Sequence, residues 1–291
     1  MSCPLTSDDH PSRAKSASEF LTRWNRFRVL TRSLLATYLT LFLISIFPSF
    51  LTADPEAWHR SADAHFEVYQ KVENASFAKI VLAQAEKDLD RILTKLSFDE
   101  PREEWRGENR IRIVIFRDQS SYEKKRDVPE WASGDANYET RTIATFKNSE
   151  TFLTSTLSHE IAHLVLYELT SEFGNVPKWL HEGFAIACEG ERREGFDQLI
   201  KEAARHGRLL PLKLLTIVDP KVQTHGGANT YYSEADAFVR FLIAEYGAER
   251  FKKFILSLAQ GKSFEEAIRR AYKGKVEDHA ELEAEFFATF A

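Results

Sequence analysis

Residues 158–166, SHEIAHLVL, constrain this chain more than any other stretch. His159 and His163 are four residues apart, so on an α-helix both imidazoles leave from one face. Leu153, Leu157, Ile161, Leu164 and Val165 make the rest of the helix apolar and commit it to burial. Burying two imidazoles and the Glu160 carboxylate costs free energy unless something pairs with them. A metal ion does, and this spacing suits two ligands of a tetrahedral site. Glu160, beside the first histidine, can then reach a metal-bound water. The competing reading of the five-residue pattern is a surface helix with two ordinary histidines.

A second element narrows the choice. Residues 177–185 read PKWLHEGFA, and Glu182 follows His163 with 18 residues between. A helix–turn–helix of that length can return a carboxylate to the face of the first helix. Pro177 suits the start of the second helix, and residues 171–176 (SEFGNV) suit the turn. Gly183 leaves room for close approach of the two helices. Two histidines and one glutamate give three protein ligands and leave the fourth position for water, the arrangement of a catalytic zinc rather than a closed structural one.

On these residues the chain resembles the gluzincin metallopeptidases, in which HExxH on one helix is joined by a Glu from the next. WLHEGFA is close to the Trp-Leu-x-Glu-Gly-x-Ala signature of the aminopeptidase-like branch and of small bacterial peptidase MA-like domains. The later stretch YYSEADAFVRFLIAEYGAERFKKFI is similar to the helical tail of those small domains. The resemblance covers roughly residues 60–290, is strong over 158–185 and loose before 140. It implies one Zn²⁺ per chain held by His159, His163 and Glu182, with Glu160 as general base and a peptide or protein as substrate. It also implies a donor for the oxyanion, for which Tyr232 is the first candidate and Tyr231 and His225 the next. The strand expected at 141–146 would be an exposed edge that pairs with substrate, or else an ordinary sheet strand. His181 lies on another face from Glu182 and reads as a rim or substrate contact rather than a ligand. One position departs from the pattern: thermolysin-like members carry an acid four residues after the ligand Glu, where this chain has Ile186. Glu189 can replace that acid only if the geometry brings it back. The alternative function is a zinc-stabilised peptide-binding or sensor module with little hydrolysis. A scaffold with an accidental motif is the third reading.

The remaining sequence frames that motif. With 291 residues, 43% hydrophobic and 29% charged, the chain can bury a large core, which excludes disordered and collagen-like classes. A net charge of −5 gives no global signal for nucleic acid. Two cysteines exclude a disulfide scaffold, and Cys188 reads as a buried structural thiol. Residues 1–32 form a basic tail. Residues 33–53 carry no charge and follow Arg23, Arg26, Arg28 and Arg32, which reads as an export signal or a single-pass anchor. The body would then be exported, either anchored to the membrane through 33–53 or secreted or periplasmic after cleavage behind Ala53. Leu51 is too large for a good cleavage site, which favours the anchor. Residues 54–147 read as an α/β part and 148–291 as a helical, zinc-binding part. Alternation predicts strands at 64–69, 110–116 and 141–146 and a loop at 129–140, while periodicity predicts a helix at 77–96. Further helices are expected at 150–170, 178–189, 194–206, 231–246, 248–259, 263–273 and 277–289. Strands first and helices afterwards predict an α+β fold.

Overall fold

Five strands form one mixed sheet in the computed structural model, which describes residues 58–290 apart from 72–74, 99–104, 127–132, 148, 150, 171–173, 191–192 and 219–224. The strands are β1 (His59–Ala62), β2 (Phe66–Gln70), β3 (Ile111–Phe116), β4 (Gly134–Asn137) and β5 (Thr142–Phe146). Their spatial order is β1-β2-β3-β5-β4. β2, β3 and β5 run parallel, with Val68 opposite Ile113 and Ile113 opposite Ile143. β1 and β4 pair antiparallel at the two edges. A parallel pair needs a crossover, and helix α1 (Ala75–Lys95) supplies it between β2 and β3. Ala78, Val81, Leu82, Ala85, Leu89, Ile92 and Leu93 recur at helical spacing and are buried against Phe66, Val68, Ile111, Ile113, Ile115 and Ile143. The opposite face of the sheet is covered by helix α2 (Gln119–Arg126), through Tyr122 against Phe116, Ala144 and Phe146.

After the sheet the chain is helical. A single π-helical turn (Phe152–Thr156) leads into α3 (Leu157–Thr170), followed by α4 (Lys178–Ala187), α5 (Phe196–Arg205) and α6 (Leu212–Ile217). Then come α7 (His225–Tyr246), α8 (Ala248–Ala259), α9 (Phe264–Ala271) and α10 (His279–Ala288). The fold is α+β. Helices α4 and α7 pack antiparallel: Trp179 meets Phe238 edge-on at 5.3 Å, and Gly183 lies against Ala235. A Cβ at position 183 would stand 2.3 Å from the Ala235 carbonyl oxygen, so only glycine allows this approach. Phe254, Phe286 and Tyr272 close the core beneath α7 and α8.

The structure corrects several expectations. The expected loop at 129–140 contains strand β4, and β4 rather than 141–146 is the sheet edge, because β5 is paired on both sides. The helix expected from 150 opens with the π turn. Helix α7 starts at His225, six residues before the expected 231. Strand β1 and the short helices α2 and α6 were not expected. The expected localisation also fails. Among the described residues no helix is long and apolar enough to cross a membrane. The longest, α7, carries Glu234, Asp236, Arg240 and Glu245. A single-pass anchor with an exported body is therefore not supported. The run 33–53, on which that expectation stood, lies outside the described residues.

Candidate metal centre

Two tight contacts, both through Thr156, set helix α3 in place. Gly134, at the start of β4, faces Thr156 in the π turn, where a Cβ would meet the Thr156 methyl at 2.7 Å. The Ser133 and Thr156 hydroxyls lie 2.7 Å apart and tie the same two segments. The π turn thus docks on the edge strand, and α3 leaves it with one face turned towards α4. The rest of α3 is held by Leu157, Ile161, Leu164 and Val165, all buried.

His159, His163 and Glu182 converge. Their ligand-type atoms all lie within 4.8 Å of one another. The two imidazole Nε2 atoms are 3.2 Å apart. Glu182 Oε2 lies 3.9 Å from His159 Nε2 and 3.7 Å from His163 Nε2. A tetrahedral zinc with ligands at about 2.0–2.1 Å separates them by about 3.3 Å, so this triangle closes on a metal with side-chain shifts of a few tenths of an ångström. The donor set suits the ion as well: two neutral nitrogens and one carboxylate oxygen fit zinc and leave a position open.

Glu189 stands behind the first histidine. Its side chain is wholly buried, and its Oε1 accepts from His159 Nδ1 at 2.9 Å. That bond leaves the His159 Nε2 lone pair facing Glu182. The apolar Ile186 is therefore no defect. Helix α4 ends at Ala187, Cys188 caps it, and the chain turns so that the acid arrives seven residues after Glu182 rather than four. Arg193 in turn grips Glu189, with Nε 2.9 Å from Oε2 and Nη2 2.6 Å from Oε1.

The electrostatics reflect this crowding. Burial pushes the Glu182 carboxyl up, but the hydrogen bond and charge of His163, with His159 and His181, bring it down to about 2. Burial pulls His163 down, and Glu182, Glu160 and Glu189 outweigh it, leaving the imidazole above its ordinary value. Burial raises Glu160. Burial also lowers His181 to about 4, so that imidazole is neutral. The His181 ring stands 5.4 Å from His163, close behind it, and the residue is more enclosed than a rim contact. Cys188 is buried and free, its thiol pushed up to about 12 by burial.

Of the three candidate oxyanion donors, Tyr231 is buried and Tyr232 half-buried, with their rings edge-on at 5.5 Å on α7, one turn before Ala235. The His225 side chain is outside the described ones. Sequence reasoning missed Tyr138, in the turn after β4. Its ring meets His163 edge-on at 6.0 Å and stacks on Tyr167 at 5.4 Å. Burial, then the charges of Glu160 and Glu182, hold its hydroxyl firmly protonated beside the site. No sequence signal marked it, because it follows a strand read as loop. On β4 itself, Asp135 is clamped by Arg126 and accepts from the Tyr122 hydroxyl at 3.0 Å.

No curated protein matches this chain. A family model described as the Peptidase MA superfamily matches residues 108–288, from just before β3 to the end of α10. That stretch holds both helices of the centre and the edge strand beside them. It takes in more than half of the chain, which has a metallopeptidase-like fold and belongs to the Peptidase MA superfamily.

Proposed function

We propose that the chain is a zinc-dependent peptidase acting on peptide or protein substrates. His159, His163 and Glu182 hold one Zn²⁺, and Glu160 is the general base. The observation that carries this reading is the convergence of the two Nε2 atoms on the Glu182 carboxylate, with Glu189 fixed behind His159. Zinc, when bound, supplies Lewis acidity that polarises the scissile carbonyl and makes a water more acidic. Glu160 follows His159 on α3, and its buried carboxylate interacts electrostatically with both imidazoles and with Glu182. It takes a proton from the attacking water on a carboxylate oxygen and delivers it to the leaving nitrogen. The outer side of β4 offers a substrate backbone a place to add as a strand. Tyr232 donates to the oxyanion.

Metal analysis and peptide cleavage test the proposal together. The wild-type chain is expected to carry about one zinc, and His163→Ala far less. Screening a peptide library should yield a cleaved sequence, and Glu160→Gln should cut it on the order of 10²–10⁴ more slowly while keeping its zinc. A zinc-loaded wild type that cuts no peptide in the library would replace the peptidase by a peptide-binding module.

A further inference from the structure

Glu189 lies beyond the end of α4, where periodic geometry no longer fixes a side chain, yet it is the group that orients His159. Something else has to hold it. Arg193 holds the carboxylate: Nε lies 3.1 and 2.9 Å from the two oxygens, and Nη2 lies 2.6 Å from Oε1. A planar guanidinium in this two-oxygen grip stops the carboxylate from rotating, which a point charge would not do. Arg91, on α1, holds the backbone. Its Nη1 donates to the Cys188 and Glu189 carbonyls, the latter at 3.1 Å. These are carbonyls that the end of α4 leaves without helical partners. Arg91 is itself aimed by Asp88, at 2.7 Å, and Asp88 is buried and accepts from Gln84 at 3.0 Å. The turn is also pressed from a third side, since a Cβ at Gly190 would stand 2.9 Å from the Thr154 carbonyl oxygen in the π turn.

We propose that Arg193 and Arg91 form a two-sided brace that fixes Glu189 against His159 and thereby sets the affinity of the metal centre. Both are positioning residues, and neither touches metal or substrate. The inference rests on the zinc reading above. Its physical basis is that an imidazole turns about its χ2 bond unless its far nitrogen is held, and a turning ring does not keep its Nε2 lone pair on the metal. An ordinary surface ion pair would contribute little. This one ends on a carboxylate with no solvent exposure, so losing the guanidinium leaves a buried charge with only an imidazole for a partner.

Zinc affinity of the full chain, measured by competition with a chromophoric chelator, tests the brace without reference to activity. Arg193→Gln is expected to weaken zinc binding about 10–100-fold, the range of groups that orient metal ligands, and Arg91→Gln less. Arg193→Lys should fall between wild type and Arg193→Gln, since it restores the charge without the fork. It also serves as the test should the glutamine variant fail to fold. In a Glu189→Gln background, Arg193→Gln should add almost nothing, because it acts through Glu189. The visible spectrum of the cobalt-substituted protein should change in Arg193→Gln, since the ligand field follows the His159 ring. Wild-type affinity and an unchanged cobalt spectrum in Arg193→Gln, or losses that simply add in the double variant, overturn the brace alone. A wild type that takes up no divalent ion overturns the zinc reading and the brace with it.

Discussion

Glu182 and Glu234 each sit one residue before the Gly183–Ala235 contact, on opposite partners of the same helix pair, and they behave in opposite ways. Glu182 faces imidazoles and is held down to about 2. Glu234 is more thoroughly enclosed but, among the described residues, has no ion pair with a histidine, lysine or arginine. Its Oε2 accepts the Leu210 backbone N–H at 3.1 Å, while Glu283 on α10 accepts the Leu212 N–H. Burial, with the Glu283 charge adding to it, pushes Glu234 up to about 8. The two carboxylates therefore have different protonation states at neutrality. Glu234 and Glu283 form a staple for the segment that enters α6, satisfied by the backbone and offering nothing to a cation. Glu182 faces two imidazoles, His159 and His163, whose ring nitrogens converge on its carboxylate, the donor set that the proposed zinc would use. Burial of an acid alone does not single out a candidate site; convergence with other ligand-type groups does.

The largest expected effect separates the two glutamates outright. Glu182→Gln should lose bound zinc and, with it, peptide hydrolysis by about the same 10²–10⁴ as removal of the base, whereas Glu234→Gln should keep both. Elemental analysis of the two purified variants decides this, and equal zinc in both would break the comparison. Next comes the contact they share. Gly183→Ala must drive α4 away from the Ala235 carbonyl, an overpacking that costs about 1–3 kcal/mol. Urea unfolding should show that loss, and zinc affinity should fall with it, because Glu182 moves with its neighbour.

The last effect concerns pH. Folded Glu234 keeps its proton up to about 8, while the unfolded chain releases it near about 4.3. The unfolded state therefore binds fewer protons across that window, and wild-type stability falls as pH rises from 4.3 towards 8. Glu234→Gln removes this term. Unfolding measured at pH 5 and pH 8.5 should show the variant losing less stability than wild type, by at most about 1.4 kcal/mol per pH unit across the window. Equal slopes would mean that Glu234 ionises freely in the folded protein.

What could be read from the sequence follows the range of the forces involved. The convergence of His159, His163 and Glu182 was legible because helical geometry fixes the histidine spacing locally and a short connection returns the next helix. β2, β3 and α1 were legible because Phe66, Val68, Ile111, Ile113 and the α1 stripe carry the period of their element. β4 was not, since Gly134, Asp135 and Asn137 have poor strand propensity and the strand exists by pairing with β5. Helix α2 hides for a similar reason: Tyr122 is its only buried residue, so no stripe forms. The role of Glu189 could be stated only conditionally, because it lies past the helix end and its orientation depends on Arg193 and on a distant Arg91.

That distance bears on how the centre comes into being. The proposed ligands lie within residues 159–182, on two helices consecutive in sequence, and contacts of this kind form early. The parallel pairing of Phe66 with Ile111 and the Arg91 contact to Cys188, 97 residues apart in sequence, must wait for long loops to close. A refolding chain should therefore first capture zinc in a loose form, and tighten its hold in a later, slower phase when α1 arrives against the end of α4. Stopped-flow refolding followed by a zinc-sensitive dye should resolve the two phases, and Arg91→Gln should erase the second while leaving the first.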